Sequence, residues 1–121
     1  LHPKLAPVKA AIFPIVKRED FEKISSEIFN DLKKSFNVVY DKSGSIGRRY
    51  ARNDEIGTLF CITIDENSLK KKDVTVRVRD SAEQVRIKIK DLKESLIKVI
   101  NGEENIFKLG KIVNTRKKII N

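Results

Sequence analysis

The sequence predicts an α/β domain. Three observations predict it: a near-continuous apolar run followed by a stripe of helical period, two later segments in strict apolar–polar alternation, and a final amphipathic stretch stopped by Asn101-Gly102. Ala10-Ala11-Ile12-Phe13-Pro14-Ile15-Val16 reads as a strand covered on both faces, as parallel strands are. Pro14 should lie near its end or at an edge, because proline cannot donate to a ladder. From about Glu19 to Phe36, residues Phe21, Ile24, Ile28, Leu32 and Phe36 share one helical stripe, and Asn37 ends it. Val38-Val39-Tyr40 follows as a second strand, and a strand–helix–strand unit takes a right-handed crossover by default.

Asp41-Lys42-Ser43-Gly44-Ser45 is a turn, with Ser45 the N-cap of a short helix through about Glu55 that Gly57 closes. Leu59 to Asp65 is β-rich, with Phe60, Ile62 and Ile64 on one side, and Asn67 to Lys72 reads as a polar connection. In Val74-Thr75-Val76-Arg77-Val78-Arg79 the valines face one way, and Thr75, Arg77 and Arg79 the other. Val85-Arg86-Ile87-Lys88-Ile89-Lys90 repeats the pattern, and Asp80-Ser81-Ala82-Glu83 is short enough to join the two as a hairpin. Asp91 with Glu94 resembles a capping box opening a helix whose Leu92, Leu96, Ile97 and Ile100 turn inward. Five strands and three helices result. The core spans about residues 8–101, and the tail 102–121 either adds an edge strand or wraps the surface. No repeat, low-complexity tract or linker divides the chain, so all 121 residues are expected to form one domain.

Composition narrows the class. With 40% hydrophobic and 36% charged residues the chain suits a soluble globular protein, not a disordered one. No run approaches the roughly 20 apolar residues that span a bilayer, and Leu1-His2-Pro3-Lys4-Leu5-Ala6-Pro7 lacks the apolar core of a signal peptide. Methionine is absent even at position 1, which points to a segment of a longer chain. Cys61, the single cysteine, excludes an internal disulfide and a multi-cysteine zinc site. Within Phe60-Cys61-Ile62 it reads as a small core residue, and a reducing, cytoplasmic compartment is expected. His2, the one histidine, lies in a terminal stretch. Without a second histidine or cysteine, convincingly paired carboxylates, metal-ligand spacing or a nucleophile elbow, no catalytic residue and no metal ligand is expected.

The net charge of +9 favours a polyanion or an acidic membrane surface as partner, and its placement says more. If the two alternating segments pair, Arg77, Arg79, Arg86 and Lys88 gather on one face. Like charges directly opposite cost about 0.2–1 kcal/mol per pair, so such a face either spreads them into solvent or offsets them with an external anion. The first alternative is a solvated polar face. The second is a platform for phosphates and base edges, which the planar, bidentate arginine fork suits. Asp80, Glu83 and Gln84 add acceptors, and a carboxylate there matches the amino group of cytosine. A second cluster is Gly44-Ser45-Ile46-Gly47-Arg48-Arg49-Tyr50-Ala51-Arg52, a glycine-bearing turn entering a helix, whose free backbone N–H groups suit an anion. Arg48 and Arg52 share a helical face, while Arg49 points elsewhere in a structural role, paired with Asp54 or Glu55. The pattern is neither a dinucleotide fingerprint nor a Walker loop, so ATP binding is not supported. The basic tail Arg116-Lys117-Lys118 reads as a solvated end before an RNA contact.

Leu5-Ala6-Pro7-Val8-Lys9, Ser45-Ile46-Gly47-Arg48-Arg49-Tyr50, Asp54-Glu55-Ile56-Gly57-Thr58 and Val74-Thr75-Val76-Arg77 followed by Arg79-Asp80 together resemble the C-terminal anticodon-binding domain of glycyl-tRNA synthetases. Phe60-Cys61 and Gln84-Val85-Arg86 fall in the matching order, and the resemblance covers roughly residues 3–100. It implies a mixed, mostly five-stranded sheet surrounded by helices, shared by several class II synthetases. It implies binding of the anticodon stem-loop of glycine tRNA, so that a catalytic domain elsewhere in the parent chain, working with ATP and magnesium, charges that tRNA. No cofactor is implied for this domain, no membrane partner is implied, and a homodimeric parent is compatible with it. Carried onto this sequence, the tRNA-binding candidates are Arg48, Arg52, Arg77, Arg79, Asp80, Glu83, Gln84, Arg86 and Lys88. Leu59 stands where relatives often have proline, and Ala51 where arginine is common. The ATP-binding motifs of class II synthetases are missing, which confines the expectation to recognition. The same fold also serves as an accessory nucleic-acid or subunit-interaction domain, as in the accessory subunit of mitochondrial DNA polymerase, and that is the alternative.

Overall fold

The computed structural model describes residues 5–79, 81 and 83–113. Ala10–Pro14 (β1), Glu19–Leu32 (α1) and Val38–Tyr40 (β2) form the expected strand–helix–strand unit, with β2 parallel to β1 and Ala10 in register with Val38. Pro14 is the last residue of its strand, where its missing N–H costs the ladder least. The helix stops before Phe36. Asn37 then ties the chain down: its carbonyl accepts from the Lys9 N–H at 2.9 Å and its side-chain amide donates to the Pro7 carbonyl at 3.0 Å. Phe36 still packs on the core from the turn that follows α1.

Ile46–Ile56 (α2) begins at Ser45, whose hydroxyl accepts from the Arg48 N–H, and ends at Gly57 with φ 80°, a left-handed cap that favours glycine. Phe60–Ile64 (β3) lies parallel to β1, and Asp73–Val78 (β4) and Gln84–Lys88 (β5) extend the sheet antiparallel. Between β3 and β4 the expected polar connection is a short helix, Glu66–Lys71 (α3). Its capping box is reciprocal: Asp65 accepts from the Ser68 N–H, and the Ser68 hydroxyl accepts from the Asp65 N–H. Being six residues long and almost wholly polar, it carries no stripe that periodicity could register.

The last strand of the hairpin ends earlier than its alternation implies. Lys88 is extended, and Ile89–Ile100 (α4) starts directly after it, so Ile89 and Lys90 are helical and no side chain caps the helix. Asp91 therefore sits in the first turn, where it complements the helix dipole instead of forming a box with Glu94. After a 3-10 turn at Ile106–Lys108, Lys111–Val113 (β6) pairs antiparallel with β5, so the tail supplies an edge strand. Among the described residues the sheet thus has six strands, in the order β2-β1-β3-β4-β5-β6, with four α-helices around it.

The two faces differ in chemistry. One carries Ala10, Ile12, Phe60, Ile62, Ile64, Val74, Val76, Val85 and Ile87 against Phe21, Ile28 and Leu32 of α1 and Leu92 and Leu96 of α4. Burying an aliphatic or aromatic side chain is worth about 1.5–3 kcal/mol, so this layer supplies most of the cohesion. The other face has a small apolar patch only, Ala11, Phe13 and Cys61 beneath Ile46 and Tyr50 of α2. Cys61 is a buried core residue, and burial pushes its thiol pKa up to about 12. Past α2 toward β6 the second face is polar. Among the described residues no helix is long and apolar enough to cross a membrane.

Candidate functional site

On the polar face, period-two alternation brings Arg77 of β4 and Gln84, Arg86 and Lys88 of β5 together, beside α2. The row of opposed like charges that the alternation implies does not form. In the observed register Arg77 faces Gln84, Arg86 faces Thr75, and Lys88 faces Asp73. The cations are offset from within the fold by carboxylates that arrive from distant parts of the chain.

Arg86 shows this most fully. Its Nη1 and Nη2 donate to Asp65 Oδ2 and Oδ1, both at 2.9 Å, and its Nε and Nη2 donate to Asp73 Oδ1 at 3.0 and 2.7 Å. Burial alone would raise the Asp65 carboxyl, but the hydrogen bonds and charge of Arg86 hold it below its ordinary value. Arg77 makes a second two-pronged pair, Nη1 and Nη2 to Asp54 Oδ1 and Oδ2 at 3.1 Å, while its Nε donates to the Ser81 carbonyl at 2.9 Å. Its guanidinium carbon lies 5.0 Å from the centroid of the Tyr50 ring, within cation–π range. The Tyr50 hydroxyl shares a 2.7 Å hydrogen bond with the Thr63 hydroxyl and accepts from Gln84 Nε2 at 3.3 Å.

The α2 cluster divides as helical spacing predicts. Arg48 and Arg52 are exposed, and Arg52 donates to both carboxylate oxygens of Asp41 and to the Ser43 carbonyl. Arg49 is buried and structural, but its partners are not Asp54 or Glu55. Its Nη1 donates to the Pro14 carbonyl at 2.7 Å and to the Asp41 carbonyl at 3.2 Å, tying α2 to the C-terminal ends of β1 and β2. Burial lowers its pKa, and among the described residues its Nε meets no acceptor. Asn53 completes the seam, donating to the Arg49 carbonyl and Asp41 and accepting from the Thr58 hydroxyl.

The remaining candidates are scattered. Arg79 lies past the end of β4 and donates to the Gly57 carbonyl at 2.9 Å, under the C-terminal end of α2. Glu83 is exposed in the hairpin loop, and Asp80 lies outside the described residues, as does the basic tail. Lys88 donates to the Lys71 carbonyl at 3.0 Å. It lines, with Asn67, Lys71, Asp73, Arg86 and Lys111, a groove of about 480 Å³ between α3 and β6. Sequence reasoning missed Lys71, Lys111 and the carboxylates Asp65 and Asp73, and offered Asp54 to Arg49 in place of Arg77. Only Asp54 carried a signal: it follows Tyr50 by four residues, so both occupy one face of α2.

Leu59 is buried, and its N–H donates to the Val8 carbonyl at 3.3 Å, a bond proline could not make. Ala51 is exposed on α2.

Comparison with known proteins gives a consistent picture. The family described as "Anticodon binding domain" matches residues 9–99. The glycine–tRNA ligase of Rhodopirellula baltica is 52% identical over 92 residues, covering 76% of this chain and 17% of that protein. That of Borreliella burgdorferi is 50% identical over 110 residues, 89% of this chain and 24% of that protein. The chain thus spans about a quarter or less of the length of these relatives. Among solved structures, a prolyl-tRNA synthetase from Cryptosporidium parvum superposes with TM-score 0.78 at 30% identity, covering 90% of this chain and 24% of that one. The RNA-binding domain of threonyl-tRNA synthetase from Cryptosporidium parvum Iowa II shares the fold, with TM-score 0.72 at 23% identity over 81% of this chain and 25% of that one.

Proposed function

Since this chain belongs to the anticodon-binding domain family, we propose that it is the part of a glycine–tRNA ligase that holds the anticodon stem-loop of glycine tRNA. The observation that carries this reading is identity near 50% to glycine–tRNA ligases of three different bacteria, spread over most of the chain. The polar sheet face supports it physically. Arginine forks held in fixed directions suit the reading of base edges, and the lysines of the adjoining groove suit phosphates.

In this reading Arg77 and Gln84 face the bases, Lys88, Lys71 and Lys111 track the backbone, and Arg48 with Arg52 flank the stem-loop from α2. The chemistry of aminoacylation, with its ATP and magnesium, belongs to a catalytic domain of the parent chain, which acts in the cytoplasm and pairs as a homodimer.

The test is titration of the chain with stem-loops that carry a glycine anticodon or another one, at several salt concentrations. Tighter binding of the glycine loop at every salt concentration is the expected result. Equal affinity for all loops, with only the shared salt-dependent contribution, would reduce the chain to a general polyanion binder, as an accessory domain of the same fold would be.

A further inference from the structure

Resting on the proposed reading of the anticodon loop, we propose that Tyr50 and Asp54 of α2 are positioning residues: they fix the directions in which Arg77 and Gln84 of the hairpin meet a base. Neither side chain need touch RNA. The two sit one helical turn apart, so a single face of α2 reaches across to both strands of the hairpin.

The geometry is that of a clamp. Asp54 holds both Nη atoms of Arg77 at 3.1 Å, the Ser81 carbonyl holds its Nε at 2.9 Å, and the Tyr50 ring lies 5.0 Å under the guanidinium. These three bonds take three of the five donors a guanidinium owns. The two left over are held in fixed directions. Tyr50 also accepts from the Gln84 amide nitrogen, which orients the amide oxygen of Gln84 away from that bond. Arg77 and Gln84 are directly paired across the ladder, so a fixed donor fork stands beside a fixed acceptor. Such a pair distinguishes a base by the order of its donors and acceptors, and a change from an exocyclic amine to a carbonyl inverts that order. A freely rotating arginine would satisfy either.

A positioning role differs from a purely structural one in what it changes. Loss of the clamp should erode discrimination while leaving the charge-driven affinity in place, since Arg77 remains. The experiment measures affinities of the full chain for two stem-loops that differ only by uracil for one anticodon cytosine, at a temperature where circular dichroism shows each variant folded. Asp54→Asn and Tyr50→Phe are expected to lower the ratio of the two affinities by about tenfold, with the affinity for the uracil loop within about twofold of the parent's. Asp54→Glu, which restores the carboxylate, should recover part of the ratio. In nitrogen-15 spectra the Arg77 side-chain signal is expected to exchange slowly in the parent and to merge with those of the solvent-exposed arginines in Asp54→Asn. Lys88→Ala should weaken both loops alike.

If the parent discriminates, and folded Asp54→Asn and Tyr50→Phe keep its ratio, the clamp has no role in reading and this proposal fails alone. If the parent itself binds both loops equally, the anticodon reading fails and takes this proposal with it. Tyr50→Phe keeps the ring beneath Arg77, so the clamp stays testable should Asp54→Asn not fold.

Discussion

A carboxylate within hydrogen-bond reach changes what each arginine can do. Arg86 was legible as a basic residue on an alternating strand, but not as the centre of an Asp65–Arg86–Asp73 triad, because Asp65 lies on the far side of α3 in sequence and meets it only after the sheet closes. The triad has a measurable signature. Since Asp65 is held below its ordinary pKa of about 4, its stabilisation is complete above that pH and is lost as pH falls through the lower folded value. Asp65→Asn should therefore cost about 1–3 kcal/mol near neutral pH, and its urea midpoint should converge with the parent's as the solution is acidified. Parallel curves down to low pH would show that the charge of Asp65 contributes nothing. Other single residues were readable directly: Cys61 from its apolar neighbours, Ser45 from its place before a helix, Gly57 from its place after one.

Among the elements, those with long, regular patterns were predictable and those set by tertiary contact were not. The β1-α1-β2 crossover, α2, β3 and the hairpin follow from periodicity, whereas α3 and β6 are too short and too polar or exposed to announce themselves. The sequence did hold one clue to β6. A Cβ placed on Gly110 would lie 2.0 Å from the Arg86 carbonyl oxygen, so only glycine lets the chain pass there into the edge position. Gly110→Ala should force β6 off β5. The expected loss is about 1–3 kcal/mol, together with faster amide exchange along Gln84–Lys88. A variant with undiminished stability and exchange protection would mean that the backbone moves aside without cost.

For the whole molecule the question is where a net charge of +9 acts. Arg52, Arg77 and Arg86 are each bound to carboxylates, whereas Lys71, Lys88 and Lys111 line an open groove. Replacing Lys88 or Lys111 by alanine should flatten the salt dependence of RNA binding by about one unit of log–log slope each. Arg86→Gln should leave the slope unchanged, because Asp65 and Asp73 already hold its guanidinium. An equal loss of slope for Arg86→Gln would place that guanidinium on phosphate. Total charge could be counted in the sequence; its division into spent and available cations on this face could not, since Asp41, Asp54, Asp65 and Asp73 lie eleven or more residues from the arginines they bind. The unequal layers either side of the sheet carry one more consequence. The α1/α4 layer is apolar, so removing it exposes surface that raises heat capacity, and its grip follows a curve with a maximum. The α2 layer is docked over a smaller apolar patch and by hydrogen bonds of Arg49, Asn53, Tyr50 and Asp54, and polar exposure lowers heat capacity, which opposes the apolar contribution there. Its attachment should curve less with temperature, so cooling below that maximum weakens the core layer more than it weakens the hold on α2.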